Sequence, residues 1–247
     1  MIKVKQINQL AKLISGAKSI VFLTGAGVST ASGIPDFRSA DGLWTEDRSR
    51  EYYTSVDYYA KDPHDFWRKY KEIFQIKRLK NFQPNEVHHF ISELEKSGKD
   101  ISIVTQNVDS LHSLAGNKHV VEYHGNLNTA TCPACGAHYD LAYLIAHDVP
   151  ICTKRGCQTV VKPDIVLFGD PITKHSEAEM AIASSDLMLV LGTSLLVTPF
   201  SLLPSSAKQY GIPMAIINRD PTPMDEWFDH VIHADLVTVV EQLKQLI

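Results

Sequence analysis

Four short apolar runs constrain this chain more than any other feature. They are Ser19-Ile-Val-Phe-Leu23, Ile101-Ser-Ile-Val-Thr105, Leu187-Met-Leu-Val-Leu191 and Pro213-Met-Ala-Ile-Ile217. Runs of this length, apolar and mostly rich in β-branched residues, read as buried parallel strands. Between them lie segments of helical periodicity, over 4–16, 63–80, 84–98, 175–184, 199–210 and 236–246. Strands alternating with helices dictate an α/β fold with a doubly wound parallel sheet. Val120-Val-Glu-Tyr123 and Ile165-Val-Leu-Phe168 are read as further strands, the second belonging to the returning β/α alternation. Two stretches break the alternation and read as insertions. One is 40–85, which begins as a long irregular loop over 39–61 with a short helix in it. The other contains all the cysteines.

Ligands of such a sheet bind beyond the C-terminal ends of its strands. Here those ends carry Gly25-Ala-Gly27, Gln106-Asn-Val-Asp109, His124-Gly125, Gly192-Thr-Ser194 and Asn218-Arg-Asp220. In the first, two glycines allow a tight turn and a close approach to a ligand. Ser29 and Thr30 can cap or enter a short helix whose free N–H groups face an anion. Asp36-Phe37-Arg38 then adds an acid, an aromatic ring and a guanidinium, none of which a structural turn needs. The third position of a dinucleotide fingerprint is Thr30 rather than glycine, and no strand-end acid follows about 20 residues on. A hydride-transfer enzyme therefore fits poorly, and a nucleotide in a variant cradle fits better. Asn107 and Asp109 point the same way if extended and could hold ribose hydroxyls or a carboxamide; an Asx turn is the plainer alternative. His124 suits general-base work. His88, His89 and His138 read as ordinary surface or helix residues.

Cys132-x2-Cys135, sixteen residues, then Cys152-x4-Cys157 suits four thiolates around a tetrahedral, structural zinc. The start, Met1-Ile-Lys-Val-Lys-Gln6, lacks the apolar run of a signal peptide, so a cytoplasmic location is expected. No apolar stretch is long enough for a membrane span. A formal net charge of −4 speaks against a general nucleic-acid binder, so no direct nucleic-acid binding is expected.

Taken in order, Gly25-Ala-Gly-Val-Ser-Thr-Ala-Ser-Gly-Ile-Pro-Asp-Phe-Arg38, Thr105-Gln-Asn-Val-Asp-Ser-Leu-His112, His124-Gly125, the four cysteines, Lys162-Pro-Asp-Ile-Val-Leu-Phe-Gly-Asp170, Gly192-Thr-Ser194 and Asn218 resemble the sirtuins of bacterial type, the NAD-dependent protein-lysine deacylases. The resemblance implies a Rossmann-like large domain (1–40, 86–127 and 162–247), a helical module with a cofactor loop (41–85) and a zinc-ribbon module (128–161). It implies a deacetylase that consumes NAD as co-substrate, giving free lysine, nicotinamide and O-acetyl-ADP-ribose. The acyl oxygen would attack the nicotinamide ribose, nicotinamide would leave, and His124 would act as general base on a ribose hydroxyl. Residue by residue, Gly25, Ala26, Gly27, Thr30, Phe37 and Arg38 would line the phosphates and the nicotinamide ribose. Gln106, Asn107 and Asp109 would hold ribose and carboxamide with Val108 against nicotinamide, Asn107 being counted with His124 as catalytic. Gly192, Thr193 and Ser194 would take phosphate and ribose, and Asn218, Asp235 and Leu236 the adenosine end. Ile165, Val166, Leu167 and Phe168 would pair with the backbone of an acylated-lysine protein. A monomer is expected.

The chain departs from the family at Lys162-Pro163, where Arg-Pro is usual, a change expected to be neutral. Members that remove acidic acyl groups carry Tyr-x-x-Arg in the helical module, whereas Tyr70 is followed at that spacing by Ile73. Neutral acyl groups, acetyl first, are therefore expected. An ADP-ribosyltransferase using the same NAD chemistry and a zinc-ribbon nucleic-acid adaptor are the competing readings.

Overall fold

The computed structural model describes residues 4–36, 47 and 49–247. Two sheets organise them. The larger has six strands, all parallel: β1 (Ser19–Thr24), β2 (Asp100–Thr105), β3 (His119–Glu122), β7 (Leu187–Leu191), β8 (Met214–Asn218) and β9 (His230–His233). The smaller has three antiparallel strands: β4 (Gly125–Thr131), β5 (His138–Asp140) and β6 (Lys162–Ile165). The large sheet runs β3-β2-β1-β7-β8-β9. Strand order therefore reverses between β1 and β7, which opens a crevice there.

The central strands are buried on both faces, as their unbroken apolar sequences require. On one face pack α1 (Val4–Gly16), α5 (Glu86–Lys96) and α10 (Leu236–Lys244), closing a core around Leu10, Ile14, Phe22, Ile91, Leu189 and Val239. On the other pack α8 (His175–Ala183) and α9 (Leu203–Gln209), around Leu23, Val190, Ile182, Phe200 and Leu203. Each fully buried side chain of this kind contributes about 1.5–3 kcal/mol. Among the described residues no helix is long and apolar enough to cross a membrane.

A third core lies under the small sheet. Helix α4 (Pro63–Ile73), started by the Asp62 carboxylate cap and Pro63, sends Phe66, Trp67 and Tyr70 into it beside Leu144, Val161, Ile165 and Leu167. The Trp67 indole N–H donates to the Val161 carbonyl at 2.7 Å, and the Tyr59 hydroxyl to Val160 at 2.8 Å. The Lys71 ammonium donates to the Leu144 and His147 carbonyls, at the end of α7 (Leu141–Ala146). The helical and cysteine-bearing segments are thus one packed body.

Several elements differ from the sequence reading. Strand β6 covers Lys162–Ile165 and joins the antiparallel sheet, so Ile165–Phe168 is not a strand of the parallel sheet. An apolar run buried among aromatics looks the same in either sheet. β9 escaped notice because His230-Val-Ile-His233 is short, with polar ends. The 63–80 periodicity splits into α4 and a 3₁₀ segment, Ile76–Asn81, because Gln75 turns left-handed at φ 48°. Residues 49–61, read as mostly irregular, form α2 (Ser49–Tyr53) and α3 (Val56–Lys61).

His88 is not a surface residue: it is fully buried on α5, its ring centroid 4.8 Å from that of buried His112 on α6 (Leu111–Leu114). His88 Nδ1 accepts the Asn85 N–H, and His112 Nε2 pairs with the Thr24 hydroxyl at 3.0 Å. Burial drives His88 down to about 4 and His112 well below the usual imidazole range. Unfolded histidine titrates near 6.5. Between those values the unfolded chain binds protons that the folded chain refuses, so stability is whole above about pH 6.5 and falls toward pH 4. His88 alone accounts for up to about 3 kcal/mol of that loss. Melting temperatures should begin to drop above pH 5, before the bulk of carboxylates titrate; a flat profile from pH 7 to 5 would contradict the buried pair.

Candidate active site

A cleft of about 520 Å³ lies across the C-terminal ends of β2, β1, β7 and β8 and the start of α10. The sheet order brings those ends side by side. With Ala234 just beyond β9 also lining the cleft, the five ends from β2 to β9 make a trough about 19 Å long at about 4.8 Å per strand. Gly25, Ala26, Gly27, Thr30, Gln106, Asn107, Val108, His124, Gly192, Thr193, Ser194, Asn218, Asp235 and Leu236 line it, as do Ile165 to Phe168. Residues about 210 apart in sequence converge here, each at a position read from the sequence. Asp36 also lines the cleft. Phe37 and Arg38 lie outside the described residues.

The glycines also serve the packing of the protein on itself. A Cβ on Gly27 would stand 2.8 Å from the Gly192 Cα, and one on Gly25 2.6 Å from the Thr193 Cβ. Gly192, at φ 60°, would collide in turn with Gly27 and Val28. The two loops flanking the switch point therefore touch backbone to backbone, with the Gly27 N–H donating to the Gly192 carbonyl at 2.9 Å. Among the described residues, no long helix follows directly on the first loop. It winds through two 3₁₀ turns, Ala26–Val28 and Thr30–Ser32, and the Ser29 side chain caps neither.

Ser29 is instead a hub. Its hydroxyl donates to Asp109 Oδ2 at 2.7 Å and accepts from Asn107 Nδ2 at 3.1 Å. The other Asp109 oxygen takes the Leu111 N–H. Burial pushes the Asp109 carboxyl above its usual range, opposed by those two hydrogen bonds. Asn107 is 4% exposed, so its amide is held with little freedom. Asn107 and Asp109 are joined through Ser29 across a bend rather than lying parallel on an extended stretch. Asn107 and Val108 face both the cleft and a smaller adjoining cavity of about 40 Å³, which Asp109, Ser29 and Phe74 also line. Sequence reading missed this role of Ser29, since 80 residues separate it from Asp109. Gln106 ties the site together, its amide donating to the Thr193 hydroxyl at 2.9 Å.

His124 sits half-buried in the turn between β3 and β4. Its Nδ1 lies 3.3 Å from the Gln106 carbonyl. A carbonyl only accepts, so this contact puts the ring proton on Nδ1 and leaves the Nε2 lone pair as the basic site. The backbone that presents the ring is tightly specified. The His124 carbonyl accepts the Val166 N–H at 2.8 Å, and Gly125 pairs with Ile165 at φ 72°. A Cβ there would stand 1.9 Å from the Asp164 carbonyl oxygen. Gly125→Ala should therefore displace His124, costing at least tenfold in activity and several degrees in melting temperature; a fully active, equally stable variant would show that this approach is not needed.

The 165–168 segment is already well bonded. The N–H groups of Val166, Leu167 and Phe168 go to His124, the Asp170 carboxylate and Thr54 respectively, and the Phe168 carbonyl accepts from Val56. Asp170, also paired to Lys162 at 2.7 Å, thus shapes the turn after β6. At the far end, Asp235 caps α10 with one carboxylate oxygen and faces the Arg219 guanidinium at 3.8 Å with the other, and the Asn218 amide donates to the Asp220 carbonyl.

The four cysteine sulfurs lie within 4.8 Å of one another. Cys132–Cys157 are 3.6 Å and Cys135–Cys152 3.5 Å apart. Four sulfurs at the zinc–thiolate distance of about 2.3 Å from one centre would be about 3.8 Å apart, so the set fits a tetrahedral ion. None of the four cysteines is among the cleft-lining residues, which suits a structural ion.

Comparison with known proteins bears on the chain as a whole. The model of the Sir2 family matches residues 25–199. The chain is 48% identical to NAD-dependent protein deacetylase 2 of Geobacillus kaustophilus over 98% of both chains. It is 50% identical to the NAD-dependent protein deacetylase of Bacillus subtilis, over 90% of this chain and 92% of that one. A Sir2 structure with a deacetylated peptide and 3′-O-acetyl ADP ribose superposes with a TM-score of 0.87 at 31% identity, covering 97% of each chain. A Sir2 structure bound to a propionylated peptide gives 0.84 at 31%, again covering 97% of each.

Proposed function

The chain belongs to the Sir2 family, and on that premise we propose that its cleft holds NAD along the strand ends and an acyl-lysine peptide beside Ile165–Phe168. The protein is an NAD-dependent protein deacetylase, releasing lysine, nicotinamide and O-acetyl-ADP-ribose. The observation that carries the reading is one imidazole, with Nε2 left basic, in the same trough as the Asn107 amide and the loops of the switch point.

The residues present fit a dinucleotide. The trough is long enough for two nucleosides, and buried polar side chains, Asn107 and Thr193 among them, line it. Gly25 to Thr30 and Gly192 to Ser194 would hold the phosphates and a ribose, and Asn218, Asp235 and Leu236 the adenosine. Because one Asp235 oxygen caps a helix, its contribution would come from the main chain or from the other oxygen. When bound, NAD supplies an electrophilic ribose carbon with nicotinamide as its leaving group. Asn107, Val108 and Asp109 would receive the nicotinamide end, with Asn107 oriented by Ser29 and Asp109. His124 Nε2 takes a proton from a hydroxyl held against it, while the Gln106 carbonyl stabilises the ring that then carries both protons.

For the peptide, most main-chain groups of 165–168 are engaged within the protein, so strand addition would use the Val166 carbonyl and Gly169. Ile73 and Phe74 are apolar, and Tyr70 is fully buried in an apolar cluster, so no cation from this helix meets the acyl group. That supports neutral acyl substrates. The four thiolates would hold a structural zinc, and the two sheets would mark a large and a small unit, with β6 and the start of β4, read from the sequence as parts of the large one, in the small one.

Incubation with NAD and an acetylated peptide tests the reading. Nicotinamide release matched one-to-one by deacetylation supports it. Label from NAD retained on protein, without deacetylation, would establish the ADP-ribosyltransferase instead.

A further inference from the structure

The residue before the catalytic imidazole has an arrangement that packing alone does not explain. Consecutive side chains of a strand point to opposite faces. Here the chain turns at 123–124, and the Tyr123 ring comes to 5.4 Å from the His124 ring, inclined at 68°. Tyr123 is fully buried and stands edge-on to buried Phe200 at 5.3 Å, while Phe200 lies 6.5 Å from His124. The imidazole therefore sits in a corner made by two aromatic rings.

A phenylalanine would fill the Tyr123 site equally well by volume. The tyrosine hydroxyl instead pairs with Nδ1 of His175, the first residue of α8, at 2.7 Å. His175 Nε2 faces Glu179 at 3.6 Å, one turn along the same helix. Glu179, His175 and Tyr123 thus form a line from the surface of α8 to the side of the His124 ring. At 3.3 Å, the Nδ1 contact to Gln106 is at the long end of an N–H···O bond. Such a bond fixes the tautomer better than it fixes the plane of the ring, and a wall of anchored rings restricts that plane.

We propose that Tyr123, anchored by His175, is a positioning residue that sets the orientation of the His124 imidazole. The inference rests on the deacetylase reading for its kinetic consequence, but not for its structural one. Tyr123→Phe keeps the ring and loses the anchor; His175→Ala loses the anchor from the other side; Tyr123→Leu loses the wall.

The test measures kcat and KM for NAD and acetylated peptide, together with the ¹⁵N signals of His124 in histidine-labelled protein. Tyr123→Leu should lower kcat about 10–100-fold, the scale of a mispositioned catalytic group, with both KM values within about twofold. Tyr123→Phe and His175→Ala should each lower kcat about threefold. The double variant should match either single one, because both remove the same bond. All variants should move the His124 ring signals. If Tyr123→Phe and His175→Ala are folded yet leave kcat and the His124 signals at wild-type values, the inference is wrong. A wild-type protein without NAD-dependent deacetylation would overturn the functional reading instead, and unchanged His124 signals would still overturn this one.

Discussion

Replacing His124 by alanine is expected to reduce kcat by about 10²–10⁴-fold, the range that a positioned general base supplies. It should leave the melting temperature nearly unchanged. The two expectations follow from different atoms. The half-buried ring faces the cleft and belongs to none of the three apolar clusters, so its removal opens no interior cavity. The backbone of residue 124 holds the β4–β6 junction, through the Val166 N–H to the His124 carbonyl, and alanine keeps that bond. Steady-state kinetics with NAD and an acetylated peptide, paired with a thermal melt, would separate them. A variant that keeps wild-type kcat would remove His124 from the mechanism. One that loses both activity and fold would show that the ring is structural.

The sequence made the large sheet legible because its central strands have both faces buried. Apolar runs such as Leu187–Leu191 have few alternatives at that length. Legible too was the convergence of the strand ends, since a doubly wound topology brings them to one edge whatever the loops contain. The reasons for individual residues were less legible. Gly25 and Gly27 read as room for a ligand, and with Gly192 they also make room for one another's backbones. Ser29 read as a cap and bonds instead to Asp109, 80 residues away. No local pattern encodes either contact, because both arise when two strand ends meet in the folded sheet. His88 was misjudged for a related reason. Its place on the apolar face of α5 is visible from spacing, but its packing against His112 depends on the loop after β2. The small sheet was hardest, since β4 and β5 carry few large apolar residues and depend on the cysteines and on helix α4 for their core.

That dependence sets the second large effect. The purified protein should contain about one zinc per chain, and removing it should unfold the small sheet. Cys132 and Cys152 are themselves part of the apolar cluster with Phe66, Trp67 and Leu144. Without an ion, four sulfurs within 4.8 Å of one another must either stay protonated or repel. The knuckles that carry them are held by few backbone bonds, Cys132 N–H to Ala137 and Gly136 N–H to Cys132 in the first, Cys152 N–H to Thr159 and Cys157 N–H to Lys154 in the second. Structural zinc contributes about 10–16 kcal/mol of apparent binding energy in small domains, more than a typical domain's whole stability. The damage should spread, because β4 begins at Gly125 and pairs there with Ile165, so loosening the small sheet frees the backbone that aims His124. Chelation should therefore lower the melting temperature by at least about 10 °C and activity with it, and Cys152→Ser should do the same without a chelator. The large sheet, with its own two cores, should keep its helical signal through the first transition. An unchanged melt after metal loss verified by elemental analysis would assign the cluster no structural role. Activity lost without any change in the melt would instead place the ion in the chemistry, although no cysteine lines the cleft.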